Sequence, residues 1–303
     1  MELFLHEKTE QMERYKRQLM LNGFTEEHQV RLSNATVLVG GIGGLGGTAA
    51  LYLAAAGIGR MVLVHRGDLT LSNMNRQVLM SEDWIGRSRV IMGKKRILEI
   101  NSSVQVDIHD KSISEDNIDI LLEGADIALS ARPNFKERRI LNMACVENGI
   151  PMVEAAMNGM EAYMFNVLPG ITPCLNCVYP ADDPEWLELG FPVLGAVSGT
   201  LGSLMAIEAI KILTGFGKPL TSNMLIFNLL DMHFRVLNIH RNKHCSVCSQ
   251  LSPSPLSPPL KGGGLFELSS PLEAYGSEPT AHRGEGVSSF FELTSNRDRH
   301  NES

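Results

Sequence analysis

At 303 residues, 44% hydrophobic and 20% charged, the chain has the size and composition of a folded protein with ample apolar content for a core. A net charge of −7 supplies no excess of cations for phosphate backbones, which argues against nucleic acid as the main partner. MELFLHEKTEQMERYKRQ at the start is charged throughout and lacks the apolar run of a secretion signal. GTAALYLAAAGIG is too short to cross a membrane and VLGAVSGTLGSLMAIEAIKIL is interrupted by Glu208 and Lys211, so the expected location is cytoplasmic, with no membrane partner.

Residues 1–34 read as a helical segment, with Leu19, Met20, Leu21 and Phe24 available for packing. From 35 a strand–helix rhythm sets in. ATVLVG is a buried strand, and a glycine loop leads into the helix TAALYLAAAG, which Gly57 stops. RMVLVH is the second strand, SRVIMGKKRILEIN has helical spacing, and VQVDIH alternates as a strand does. ADIALSA, the helix FKERRILNMACVENG and the strand IPMVEAAM continue the pattern. This alternation predicts an α/β fold, Rossmann-like, with a mostly parallel sheet and helices on both faces.

Beyond 160 the rhythm loosens into a strand at EAYMFNVLPG, a CxxC loop, a helix over 196–214 ending at Gly215, and the strand NMLIFNLL. A second CxxC closes the folded part, giving a nucleotide-binding domain over 35–249. Residues 250–303 hold 22 Pro, Gly or Ser among 54 positions, and such a segment cannot bury enough apolar surface to offset its ordering entropy. A disordered tail is expected there.

Gly41-x-Gly43-x-x-Gly46 stands directly between a strand and a helix. Glycines at these places allow a tight turn and close approach of backbone amides to phosphate, at a helix N-terminus that favours anions. The motif does not choose among NAD, FAD and ATP. At the end of the second strand, where an acid usually grips a ribose hydroxyl, the chain has His65 and Arg66, with Asp68 following. Taken alone, the missing acid and nearby arginine fit an NADP-dependent reductase. The run LSNMNRQ points elsewhere, to phosphate handling: Arg76 can pair with phosphate oxygens, while Ser72, Asn73, Asn75 and Gln77 add neutral hydrogen bonds.

Four of the five cysteines form two CxxC pairs, Cys174/Cys177 and Cys245/Cys248, separated by 67 residues. Two such pairs in a cytosolic chain fit a closed, structural four-cysteine zinc site that ties the C-terminal part to the body. Cys145 falls on the apolar side of a helix and reads as an inert core residue.

RYKRQLML, VLVGGIGGLGG, LSNMNRQ and the two CxxC pairs together resemble the ThiF/MoeB/HesA family of ubiquitin-activating-enzyme-like adenylyltransferases. GGLGGTAALYLA, GMEAY, PGITPCLNC and VLGAVSGTL resemble its HesA branch, which is associated with nitrogen-fixation genes. The resemblance covers roughly residues 10–249 and implies ATP-dependent transfer of AMP to the C-terminal glycine of a small ubiquitin-like sulfur carrier ending in Gly-Gly. It also implies a homodimer.

By the same resemblance, Gly44 and its neighbours line ATP, while Asn73, Arg76 and Asn134 belong to the nucleotide site. Arg89 stands at the position of a catalytic lysine. Arg17 matches an arginine that reaches the ATP of the other subunit. Two family acids are absent. His65 stands at the place of the ribose-binding Asp, with Asp68 as a substitute from a displaced position. Pro133 stands at the place of the Asp that holds Mg²⁺, and Ser130 replaces a second acid nearby. Glu137 is close in sequence but falls on the next helix, so no replacement ligand for Mg²⁺ is evident. These departures keep open a second reading, a non-catalytic zinc-stabilised homologue that binds a partner in metal or sulfur delivery. Some relatives carry a thioester- or persulfide-forming cysteine between the pairs; residues 178–244 contain none, so no covalent carrier intermediate is expected.

Overall fold

The structure, a computed structural model, describes residues 13–181 and 191–251. All of them belong to one compact unit spanning residues 1–265. Apart from Gln250 and Leu251, the expected tail lies outside the described residues, as do the first twelve positions of the N-terminal segment.

The fold centres on an eight-stranded sheet of order β3-β2-β1-β4-β5-β6-β7-β8. Its parallel half comprises β1 (Thr36–Gly40), β2 (Arg60–Val64), β3 (Gln105–His109), β4 (Ile127–Ser130) and β5 (Met152–Asn158). These strands are rich in Val, Ile, Leu and Met, and β1 is buried at every position, as expected of a strand covered on both faces. Connections run through α3 (Gly44–Ala56), α4 (Arg89–Ile100), α5 (Ile118–Leu122) and α6 (Phe135–Glu147). The sheet order turns back between β1 and β4, so the carboxyl ends of these strands flank the crevice at which doubly wound folds take ligands.

Three differences from expectation concern the flanks. The N-terminal segment is not one helix: α1 (13–19) and α2 (Glu26–Asn34) are separated by a turn in which Gly23 has φ +85°. β6 (Glu161–Val167) pairs antiparallel with β5 through a tight hairpin, and β7 (Asn223–Asn228) pairs antiparallel with β6 after a long helical connection. An unanticipated β8 (His233–Asn238) adds a further antiparallel edge. All six of its residues are exposed, so no buried period of two marks it in the sequence.

α8 (Gly195–Thr214) is apolar and long enough to cross a membrane by length and composition. It is instead a core helix, more than half buried against α3, α2, β5 and β6. Its approach to α3 depends on Gly202, where a Cβ would come within 2.4 Å of the Leu45 carbonyl. Glu208, buried on this helix, accepts the Leu220 amide at 2.9 Å and pairs with Lys211 on its own helix.

A second buried ion pair lies under α6. Arg138 donates Nε–H to Glu154 Oε1 at 2.9 Å, its Nη2 reaches both Glu154 and the Tyr163 hydroxyl, and Phe135 stacks on the guanidinium at 4.4 Å. Both charged side chains are almost fully enclosed. Arg138 therefore acts in the core. Cys145 on the same helix is fully buried, and burial drives its thiol far above the ordinary range, away from the reactive thiolate.

Candidate functional site

β1 delivers the chain to Gly40 and Gly41 at the bottom of the crevice. Gly41 has φ +103°, and a Cβ there would meet the Ala131 carbonyl at 2.7 Å, so only glycine fits the turn. Gly46 sits one helical turn on, where a Cβ would come within 1.8 Å of the Gly41 carbonyl. Gly44 packs on Ser198 of α8, whose Oγ lies 2.6 Å from the place of a Cβ. Gly43, the N-cap of α3, has no side chain to cap the helix. The first amides of any α-helix have no intrahelical acceptor, so this end offers donors and a favourable dipole to an anion.

His65 is not presented as a ribose ligand. It is buried behind the loop, and its Nδ1 accepts the Ile42 N–H at 3.1 Å and lies 3.2 Å from Arg132 Nη1. Both neighbours are obligate donors, so Nδ1 is the acceptor and Nε2 carries the proton. Burial, and then the charges of Arg89 and Arg132, hold its pKa well below the usual histidine value. It is a neutral strut for the glycine loop.

Arg89, the first residue of α4, is held in place by Nε–H to Gly67 O at 3.0 Å and Nη2 to Arg66 O at 2.9 Å. Its pKa is lowered by burial first, then by Arg132 and Arg76, with Asp110 and Asp68 acting in the opposite sense. Arg76 is bent back by Nη1 contacts of 2.9 Å to both Ser72 O and Asn75 Oδ1, and its pKa too is lowered by burial. Its stem passes the start of α3, with Cγ 3.3 Å from the place of a Gly44 Cβ. Three guanidiniums thus crowd one another beside an uncapped helix end. Glu137 offsets Arg132, but Arg76 and Arg89 have no ion-pair partner among the described residues, so the cluster keeps an excess of positive charge that suits an anion.

The other predicted site residues divide between this cluster and local structure. Gln77 is buried near Gly43, and its Oε1 has no hydrogen-bond partner among the described residues. Asn75 donates to Val193 O at 3.3 Å. Asn73 Oδ1 accepts from the Thr70 amide and hydroxyl, both at 3.0 Å, and Ser72 Oγ lies 3.0 Å from that hydroxyl. Asn134 caps α6 by accepting the Glu137 amide at 2.8 Å. Asp68 is exposed, its backbone bridged to Ser88. Arg66 is also exposed and contributes its carbonyl to Arg89. Arg17 is exposed on α1.

Two contributors escaped the sequence reading. Arg132, in the turn after β4, reaches His65 and pairs with Glu137 at 2.8 Å. Asp110, just past β3, accepts the Gly67 amide at 3.1 Å and the Ser88 hydroxyl, fixing the loop that carries Asp68. Its position just past the end of a parallel strand was the available signal.

The expected Mg²⁺ position has no fitting donor set. Pro133 offers no side-chain oxygen, and Ser130 is fully buried. The Glu137 carboxylate is committed to Arg132 at 2.8 Å, Asn134 at 2.9 Å and the Ile113 amide at 2.9 Å. The thiols, by contrast, do converge. Cys174 and Cys177 open and line the short helix α7 (Leu175–Val178), while Cys245 and Cys248 follow β8, and all four sulfurs lie within 4.8 Å of one another. Sγ separations of 3.9, 3.6 and 3.3 Å along the cluster bracket the roughly 3.8 Å that a tetrahedral Zn–S length of about 2.3 Å requires. The Asn242 amide donates to Cys177 Sγ at 3.3 Å, as in thiolate sites.

HesA (vegetative) of Trichormus variabilis is 53% identical over 81% of this chain and 93% of its own length. The sulfur carrier protein adenylyltransferase of Thermus thermophilus is 36% identical, over 79% and 91% respectively. Among solved structures, E. coli MccB with ATP aligns with a TM-score of 0.69 at 27% identity, covering 78% of this chain and 74% of that one. Residues 15–247, from α1 through the glycine loop to the second CxxC pair, match the ThiF family, and the chain belongs to it.

Proposed function

We propose that this chain uses ATP to adenylylate the C-terminal glycine of a small ubiquitin-like sulfur carrier ending in Gly-Gly. The observation that carries this reading is the cluster of Arg76, Arg89 and Arg132 over the uncapped α3 terminus. The similarity to a named sulfur carrier adenylyltransferase and to the ATP-binding MccB supports it.

One oxygen of the carrier carboxylate attacks the α-phosphorus of ATP. A new O–Pα bond forms as the bond from Pα to the β-phosphate oxygen breaks, and pyrophosphate leaves with that electron pair. The product is an acyl-adenylate. No proton transfer or protein nucleophile is needed, in keeping with a buried Cys145. The protein's task is to align the two anions and stabilise charge growing on the phosphates, for which fixed guanidiniums and amides serve. Zinc, when bound by the four thiolates, is structural, because a set of four cysteines leaves no open position.

A homodimer completes the proposal. A groove of about 480 Å³ between α3 and α8 is lined by Tyr52, Val78, Leu194 and small residues of α8, and borders Asn75. By the family resemblance, Arg17 of a second copy would reach this site, and exposed Arg17 on α1 is free to take that role. We assign the reaction to the cytoplasm, where free thiols persist for zinc, and to sulfur or metal cofactor assembly such as that of nitrogen fixation.

The absence of carboxylates at Pro133 and Ser130 favours a second reading, a zinc-stabilised partner-binding homologue without turnover. ATP–pyrophosphate exchange with candidate Gly-Gly carriers separates the two. Exchange that disappears in Arg89→Ala supports adenylylation; ATP binding with no exchange for any carrier, the physiological one included, supports the second reading.

A further inference from the structure

We infer that the Arg132 guanidinium takes the place of a divalent cation, so that nucleotide phosphates bind this site without Mg²⁺. The inference rests on the nucleotide reading above and deepens it.

Mg²⁺ demands several oxygen ligands in near-octahedral geometry. The position expected to hold it offers a proline, a buried serine and a glutamate whose carboxylate already has three partners. Glu154, the cross-strand neighbour of Ser130, is fully buried and committed to Arg138, while Asp68 lies in an exposed segment and Asp110 is spent on Gly67 and Ser88. A cation is nevertheless present, as a side chain. Arg132 lies across the glycine loop, with Cδ 2.9 Å from the place a Gly41 Cβ would take.

Its orientation is fixed from two sides. Nη1 is held by the neutral His65 and Nη2 by Glu137, which sits on the far side against the Ile113 amide. The Arg132 side chain is 9% exposed, and its Nε–H is buried without a hydrogen-bond partner among the described residues. A buried donor on a charged group, left open beside a phosphate loop, calls for an anionic oxygen. The charge is felt at the site: Arg132 is the strongest like-charge influence on Arg89.

The three substitutions then form one set. An aspartate at 65 would set a second carboxylate beside this guanidinium, already paired with Glu137, and make the spot net negative; neutral His65 orients Arg132 without adding that charge. Pro133 and Ser130 remove acids that would compete with phosphate for Arg132. What reads in sequence as a decayed metal site is a site whose counter-charge has become covalent.

The test is calorimetric titration of the whole chain with ATP, in excess EDTA and in Mg²⁺. The dissociation constants are expected to agree within about twofold, and Arg132→Gln is expected to weaken ATP about tenfold in EDTA. Because Arg132→Gln also strips Glu137 of its ion pair, melting temperature is followed alongside. Arg132→Lys keeps a cation there and should lose less than the glutamine variant. Three results overturn the proposal: ATP affinity that rises tenfold or more with Mg²⁺, equal losses in the two variants, or a folded Arg132→Gln that binds ATP like the wild type. ATP that binds under neither condition refutes the nucleotide reading itself, which separates the two failures.

Discussion

Alanine substitutions at Gly43 and Gly46 should separate folding from ligand binding within one loop. At Gly46 the new methyl would lie 1.8 Å from the Gly41 carbonyl oxygen, a backbone atom with no rotamer to change. Relief requires the loop to open by more than an ångström, yet Gly41 is confined by φ +103° and by the Ala131 carbonyl, 2.7 Å from the place its Cβ would take. Overpacking of this kind costs about 3 kcal/mol, equivalent to roughly 6–12 °C in melting temperature for a domain of this size. At Gly43 the nearest atom to a Cβ is Gln77 Nε2 at 4.0 Å, and φ is −73°, so alanine is accommodated. Gly43→Ala should melt within about 2 °C of wild type while weakening ATP, because its methyl intrudes only where a phosphate would approach the α3 amides. Calorimetric melting and ATP titration of both variants provide the comparison. A Gly46→Ala variant as stable as wild type would refute the packing argument; a Gly43→Ala variant with unchanged ATP affinity would refute the placement of phosphate.

Three further outcomes follow from the buried groups. Glu154→Gln leaves the Arg138 guanidinium enclosed without its counter-charge and should cost about 3–5 kcal/mol by urea unfolding, while the double change Arg138→Met, Glu154→Leu should cost much less. The depressed pKa of His65 means that the unfolded chain takes up its proton first as pH falls, so this residue contributes stability above about pH 6.5 that is lost below it. His65→Asn keeps an acceptor for Ile42 without titrating, and its urea midpoint should fall less than that of wild type between pH 7 and 5.5. The purified chain should contain one zinc, and Cys248→Ser or exhaustive chelation should lower the melting temperature by roughly 5 °C or more; a metal-free chain of unchanged stability would rule out the structural role.

The parallel half of the fold was legible because β1, β2 and β4 are buried on both faces, edge strand β3 alternates, and glycines such as Gly57, in the left-handed conformation, stop the helices. The glycine loop was legible because its demands are backbone demands, met by residue type alone. β8 was not, since a strand exposed along its whole length carries no periodic signal. Arg132 was not, because its meaning depends on His65, 67 positions away, and on a neutral tautomer set by the Ile42 amide. Asn134 shows the converse: a motif match draws attention to the side chain, yet that side chain caps α6 and meets the Glu137 carboxylate. Spacing identifies which groups can meet, and only the packed arrangement shows which lone pairs are already occupied.

The thiol cluster also bears on how the chain is made. Cys174 and Cys177 emerge from the ribosome well before Cys245 and Cys248, which lie beyond α8, β7 and β8. Until then half a ligand set waits on α7 and cannot form the closed four-thiolate site. Metal capture is therefore a late step in biosynthesis, and it seals a loop of some 70 residues that α8 packing and the β6–β7 pairing have already drawn together. The two early thiols therefore stand open to oxidation until the second pair has emerged and a metal can close the site.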